Sequence, residues 1–198
     1  MRIFNKSCFL IILSLITVTL SGCRVVLFSE ETPPLIEEIG KQKVNLDATA
    51  FVRTGSIVVR GETTFPPGTM FDVEVNPYPE EASAFQVELS SVDPLKENVA
   101  SSTMTVNEDG EMEGIVLDRP DFNTRYRVQI TFNPASQQKD IVNILGSNGE
   151  NMAIEPGVEK LENSETLVYR KYVNVMKRDE PDGFEAKLTF KPKREKRD

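Results

Sequence analysis

Histidine and tryptophan are absent from this sequence, and cysteine occurs only as Cys8 and Cys23. Without histidine, neither Ser-His-Asp nor Cys-His catalysis can be assembled, and histidine-bound zinc or iron sites are excluded. Without tryptophan, a sugar-stacking cleft would have to rely on tyrosine and phenylalanine. A phosphate-binding loop is missing too: Gly146-Ser147-Asn148-Gly149 lacks the lysine and the strand-to-helix setting such a loop needs. Asn107-Glu108-Asp109-Gly110-Glu111 offers carboxylates, but not at the alternating spacing of a calcium loop, and it reads as a hairpin turn. No catalytic residue, cofactor-binding residue or metal ligand is therefore nominated, and no cofactor is expected.

What is abundant is acid. Asp and Glu number 31 against 23 Lys and Arg, a formal net charge of −8. Such a chain is repelled by nucleic acid and by anionic lipid, so nucleic acid is not an expected partner. The charge is uneven. From Glu185 onward, Lys187, Lys191, Lys193, Arg194, Lys196 and Arg197 outweigh Glu185, Glu195 and Asp198.

The N-terminus has a plan of its own. Arg2 and Lys6 are the only charged residues before Arg24, and an apolar run follows from Cys8 to Leu20. A charged start and an apolar stretch too short to span a bilayer are the marks of a secretory signal. The run ends in Leu20-Ser21-Gly22-Cys23. These four residues resemble the lipobox of bacterial lipoproteins. That resemblance implies cleavage before Cys23, lipidation of its thiol, and anchoring on the extracytoplasmic face of the cell membrane, or of the outer membrane in a two-membrane host. One acyl chain holds a protein only marginally, and two or three hold it firmly. With Cys8 lost and Cys23 acylated, the mature chain would carry no free thiol, which suits an oxidising exterior.

The chain then divides into a signal (1–22), a lipid-anchored tether (23–55), a folded domain (56–190) and a basic tail (191–198). The tether contains Pro33-Pro34 in an acidic stretch and a possible helical turn from Leu35 to Gly40. Beyond Ser56 the pattern is β. Phe71, Val73 and Val75 alternate with Asp72 and Glu74; Phe85, Val87 and Leu89 alternate with Gln86 and Glu88. Tyr126, Val128, Ile130 and Phe132 give the cleanest alternation, with Arg125, Arg127, Gln129 and Thr131 facing out, and Phe184 to Phe190 repeats the pattern. Ile141 to Leu145 reads as a buried strand, Glu155 to Glu165 as loop, and Thr166 to Val175 as a long strand. Pro67-Gly68 suits the centre of a type II turn. At Asn107–Gly110, a loop with Gly110 left-handed would set Val106 against Met112, apolar against apolar.

Short strands at this spacing, with no helical period between them, predict one all-β domain, a sandwich or a barrel. The segment Pro120 to Ile130 resembles the entry to the F strand of fibronectin type III and immunoglobulin-like domains. By that resemblance the fold is an immunoglobulin-like β-sandwich, and Tyr126 is the corner tyrosine whose hydroxyl bonds back to upstream backbone. The functional expectation is non-enzymatic: a membrane-anchored binding or structural module of the cell envelope, held through lipid on Cys23 and engaging an envelope protein or polymer. The alternative is a histidine-independent carboxylate enzyme acting on envelope polysaccharide, which requires convergent carboxylates of raised pKa in a cleft. A small-ligand carrier limited to oxygen ligands ranks below both.

Overall fold

The computed structural model describes residues 40–193. The signal, Cys23, most of the tether with its expected helical turn, and the last residues of the basic tail lie outside this range. The strands are β1 (Leu46–Val52), β2 (Ser56–Thr63), β3 (Met70–Pro77), β4 (Ala100–Thr105), β5 (Glu111–Asp118), β6 (Tyr126–Phe132), β7 (Val158–Lys160), β8 (Leu167–Val175) and β9 (Ala186–Thr189). Two short helices interrupt them, α1 (Ala84–Glu88) and α2 (Lys139–Leu145), with a single 3-10 turn at Pro134–Ser136. One sheet has the order β5-β2-β1-β9 and the other β4-β3-β6-β8-β7, and every strand pairing within them is antiparallel. The molecule is an all-β sandwich of two antiparallel sheets, an arrangement compatible with an immunoglobulin-like fold.

Alternation builds the core. Leu46, Ala48, Ala50 and Val52 from β1 meet Phe71, Val73 and Val75 from β3 and Tyr126, Val128, Ile130 and Phe132 from β6, all buried. Phe65 fills one end of this core, with ring centroids 5.0 Å from Phe71, 4.9 Å from Phe132 and 5.3 Å from Tyr169. Edge-on and tilted contacts of this kind add to the area that the rings bury.

Two turns form as their residues require. Thr69 N–H donates to Pro66 C=O across Pro67-Gly68, and Gly68 has φ +85°. At the β4–β5 hairpin Gly110 has φ +81° and Val106 lies opposite Met112. The Asn107 side chain accepts from Asp109 N–H and Glu111 N–H, so the carboxylates of this loop sit on a closed turn.

Four expectations need correction. The sheet begins at Leu46, inside the stretch assigned to the tether, because a strand whose inward positions include Ala48 and Ala50 carries a weak apolar signal. Phe85 to Leu89 belongs to α1 and its C-cap rather than to a strand. Ser83 and Gln86 form a reciprocal capping box, and only Val87 of that helix is buried. Ile141 to Leu145 is also helical: Ile141 and Leu145, four apart, are its buried residues. Within Glu155–Glu165, the edge strand β7 pairs with β8. In addition, Lys191, placed at the start of the tail, exchanges backbone hydrogen bonds of 2.9 and 3.0 Å with Tyr172.

The corner tyrosine is present. Tyr126 Oη donates to Asp121 C=O at 2.9 Å and accepts from Asp121 N–H at 3.1 Å. Beside it, Arg119 is almost wholly buried with no carboxylate bonded to it. Its guanidinium donates to the carbonyls of Gly183 and Met176 at 2.6 Å, and to those of Arg53 and Phe122 at 3.3 Å. One side chain thereby ties the β1–β2 turn, the β5–β6 crossing and the segment after β8 together. Substituting Tyr126→Phe removes both bonds to Asp121. The expected loss is about 1–2 kcal/mol, read as a lower urea midpoint with an unchanged slope.

Candidate functional site

On the five-stranded sheet, alternation sends Arg127 of β6 and Tyr172 and Asn174 of β8 away from the sandwich core. In an ordinary half-buried sheet these residues would meet water. Here the β3–β4 connection folds over them, and Arg127 and Tyr172 are only 7% and 8% exposed. Tyr78, Ala82, Val87 and Met176 form a second, small apolar cluster beneath this cover. Val87 is the side chain that α1 contributes, which explains why a helix of five residues occurs in an all-β chain.

A polar chain runs through this layer. The Arg127 guanidinium lies between two rings, 5.5 Å from the Tyr78 centroid and 4.5 Å from that of Tyr172. Cation–π contact offsets part of the cost of removing its charge from water. Arg127 Nε donates to Tyr78 Oη at 3.1 Å, Tyr78 Oη donates to Asn174 Oδ1 at 2.8 Å, and Asn174 Nδ2 donates to Val87 C=O at 2.9 Å. Asp93 approaches Arg127 at 3.6 Å but is itself 80% exposed, so this ion pair contributes little. Burial pushes the Tyr78 hydroxyl above its ordinary value, against the opposing pull of Arg127.

The cover is pinned at its other end by Arg125. That guanidinium holds both oxygens of Glu180 and donates to Ala82 C=O at 2.6 Å.

Where the cover ends, a groove of about 610 Å³ opens between α1, β8 and β9. Ser90, Tyr172, Asn174, Asp182, Lys187 and Lys191 line it with hydroxyl, amide, carboxylate and ammonium groups. Ser90 and Tyr172 share a hydrogen bond of 2.9 Å on its floor. Ser90 has φ +53°, a left-handed conformation that few residues other than glycine adopt. The lining suits a polar partner better than an apolar ligand.

Among the carboxyls with a displaced pKa, the direction is downward. Asp121 is lowered by the backbone N–H of Asn123 and by the Thr124 hydroxyl. Glu150 is lowered by its own backbone amide and that of Asn148. At Glu180, burial pulls upward, and the hydrogen bonds and charge of Arg125 outweigh it. A general acid in glycoside hydrolysis needs the opposite shift.

No family model, no curated protein and no solved structure matches this chain. The site therefore has to be read from its own residues. Sequence reasoning placed Arg127 correctly on an outward face but expected solvent there. It singled out neither Tyr78, Ser90 nor Asn174, because what joins them is a connection that crosses a sheet face. The one site residue expected from sequence, Cys23, lies outside the described residues.

The Arg125–Glu180 pair makes the cover sensitive to acid. Because the folded-state pKa of Glu180 lies below its ordinary value of 4.5, its contribution is complete above that pH and is lost as pH falls through the lower, folded value. Glu180→Gln should lower the urea midpoint at neutral pH and flatten the decline as pH falls below 4.5. An equally steep decline in the variant would remove Glu180 from this role.

Proposed function

We propose that this chain is a lipid-anchored, extracytoplasmic binding module of a bacterial cell envelope, with an immunoglobulin-like sandwich as its folded domain. The observation that carries the proposal is Leu20-Ser21-Gly22-Cys23, set directly behind a charged start and a short apolar run. The immunoglobulin-like reading is supported by strand order. Taking β1, β2 and β5 as strands A, B and E, and β3, β6 and β8 as C, F and G, reproduces the division of such domains into two sheets. β4 then lies beside C in the GFC sheet, the place that C′ takes in variable-type domains. The Tyr126 bonds at the entry to F agree with that assignment.

A non-enzymatic role is favoured by the chemistry at hand. The chain has no histidine, and the polar groups of the covered face are spent on one another. The groove beside them remains a polar surface on which an envelope protein or polymer would dock, with Lys187 and Lys191 supplying positive charge on an otherwise acidic body.

The anchor is tested by labelling cells with an alkyne analogue of palmitate and separating membrane from soluble protein. The native chain should take up label and stay with the membrane. Cys23→Ala should lose the label and accumulate as the longer, uncleaved precursor. A Cys23→Ala chain that still carries label would defeat the lipoprotein reading. The binding role is tested separately, with a photo-cross-linking residue in place of Leu89 at the groove rim. A recurrent adduct that disappears in Lys187→Glu/Lys191→Glu supports the module. Adducts unchanged by those substitutions take the groove out of the proposal.

A further inference from the structure

Each sheet of the sandwich ends in two edge strands, and three of the four carry features that discourage pairing with another chain. β5 bears Glu111, Glu113 and Asp118, and its pairing with β2 slips register between Val59 and Gly61. β7 has three residues, two of them charged, and β9 has four, including Lys187. Short length, charge and irregularity are the usual protections of an edge.

β4 has none of these. It reads Ala100-Ser101-Ser102-Thr103-Met104-Thr105, with no charge and no proline, and it pairs with β3 in unbroken register. The direction of its backbone groups follows from its neighbours. Val106 N–H donates to Thr69 C=O at 3.0 Å, which makes that pair a hydrogen-bonded one. By antiparallel alternation Ser102 and Met104 also face β3. The N–H and C=O groups of Ser101, Thr103 and Thr105 therefore point away from the sheet. At the hairpin end β5 adjoins that side of Thr105 through the Val106–Met112 bridge; toward Ser101 and Thr103, β4 pairs with no strand but β3 among the described residues.

The surroundings give this edge a sign. Asp72 and Glu74 of β3 stand opposite Thr103 and Ser101 on the solvent-facing side of the sheet. Across the rim of the sandwich β5 runs alongside β4, with Glu111 and Glu113 exposed. The strand is thus neutral, rich in hydroxyl groups and bordered by carboxylates. A second copy of this chain would bring the same carboxylates toward their counterparts. An extended segment with Lys or Arg at alternate positions would place its cations beside them, within the Debye length of about 8 Å that screens more distant charges at physiological salt.

We propose that the free edge of β4 accepts an extended, Lys- or Arg-bearing segment of another polypeptide as an additional antiparallel strand. Backbone hydrogen bonds to Ser101 and Thr103 would supply affinity, and the carboxylate border would supply preference for basic segments. This goes beyond the groove beside Lys187 and Lys191 and names a second surface with a basic partner. It does not depend on the lipid anchor, and the Cys23 labelling experiment reports on that separately.

The test uses the full chain in mild detergent and two short synthetic peptides, one alternating threonine with lysine, the other threonine with glutamate. Titration calorimetry measures affinity, and amide hydrogen exchange locates the contact. The lysine peptide is expected to bind at least tenfold more tightly than the glutamate peptide at moderate salt and to slow exchange at Ser101 and Thr103. Thr103→Pro removes an N–H that β3 does not use, so the sheet should persist while binding falls by tenfold or more. Thr103→Lys leaves the backbone intact and should weaken the lysine peptide through like charge, which keeps the test decisive if the proline variant fails to fold. Binding without protection at β4, equal affinity for both peptides, or no binding of the lysine peptide at millimolar concentration would overturn the proposal. So would concentration-dependent self-association that Thr103→Lys abolishes, since that outcome assigns the edge to a second copy.

Discussion

Phe65 sits where the two sheets close on each other, in contact with Phe71, Phe132 and Tyr169. It lies on the connection between β2 and β3, which carries the chain from one sheet to the other. The ring cluster therefore fixes the crossing as well as filling the core. Tyr169 extends the constraint, since its hydroxyl accepts from Leu46 N–H at 3.2 Å at the first residue of β1. Rings packed against one another at a crossing leave little freedom to shift one sheet over the other, because a displaced aromatic forfeits dispersion contacts on several sides at once. The positions of both sheet faces and of all four edges follow from that alignment.

Two arginines show how the same scaffold treats buried charge. Arg119 and Arg127 are both nearly inaccessible, and neither has a buried carboxylate partner. Arg119 is satisfied by backbone carbonyls from separate segments, and one of its nitrogens, Nε, remains unpaired. Arg127 is satisfied by two tyrosine rings and a hydroxyl. A buried cation without such partners would cost several kcal/mol, so each position requires its whole surroundings to be in place. That requirement ties the β3–β4 connection to the sheet beneath it, and the groove exists because the connection stops short of β9.

Edges and faces divide the remaining work. The covered face of the five-stranded sheet is sealed by its own side chains. The groove next to it offers mixed polar groups, and β4 offers bare backbone. Carboxylate, hydroxyl and ammonium groups make up these surfaces, and the described residues contain neither imidazole nor thiol.

Composition and local pattern were sufficient for the fold class, the Gly68 turn, the Val106–Met112 pairing and the Tyr126 corner. Each depends on residues close together in the chain, or on an alternation that only a half-buried strand satisfies. The proposed lipobox rests likewise on a run of adjacent residues, which lies outside the described ones. Local pattern failed at Phe85–Leu89 and Ile141–Leu145, where five residues fit a period of two as well as a helix, and at Leu46–Val52, where alanines weaken the apolar signal. Tertiary structure alone decided that Arg127 would be buried on an outward face, that Tyr78, Ser90, Tyr172 and Asn174 would meet, and that β4 would be the unprotected edge. Those outcomes depend on which segment crosses which face, and residues brought together from distant parts of the chain leave no periodicity in it.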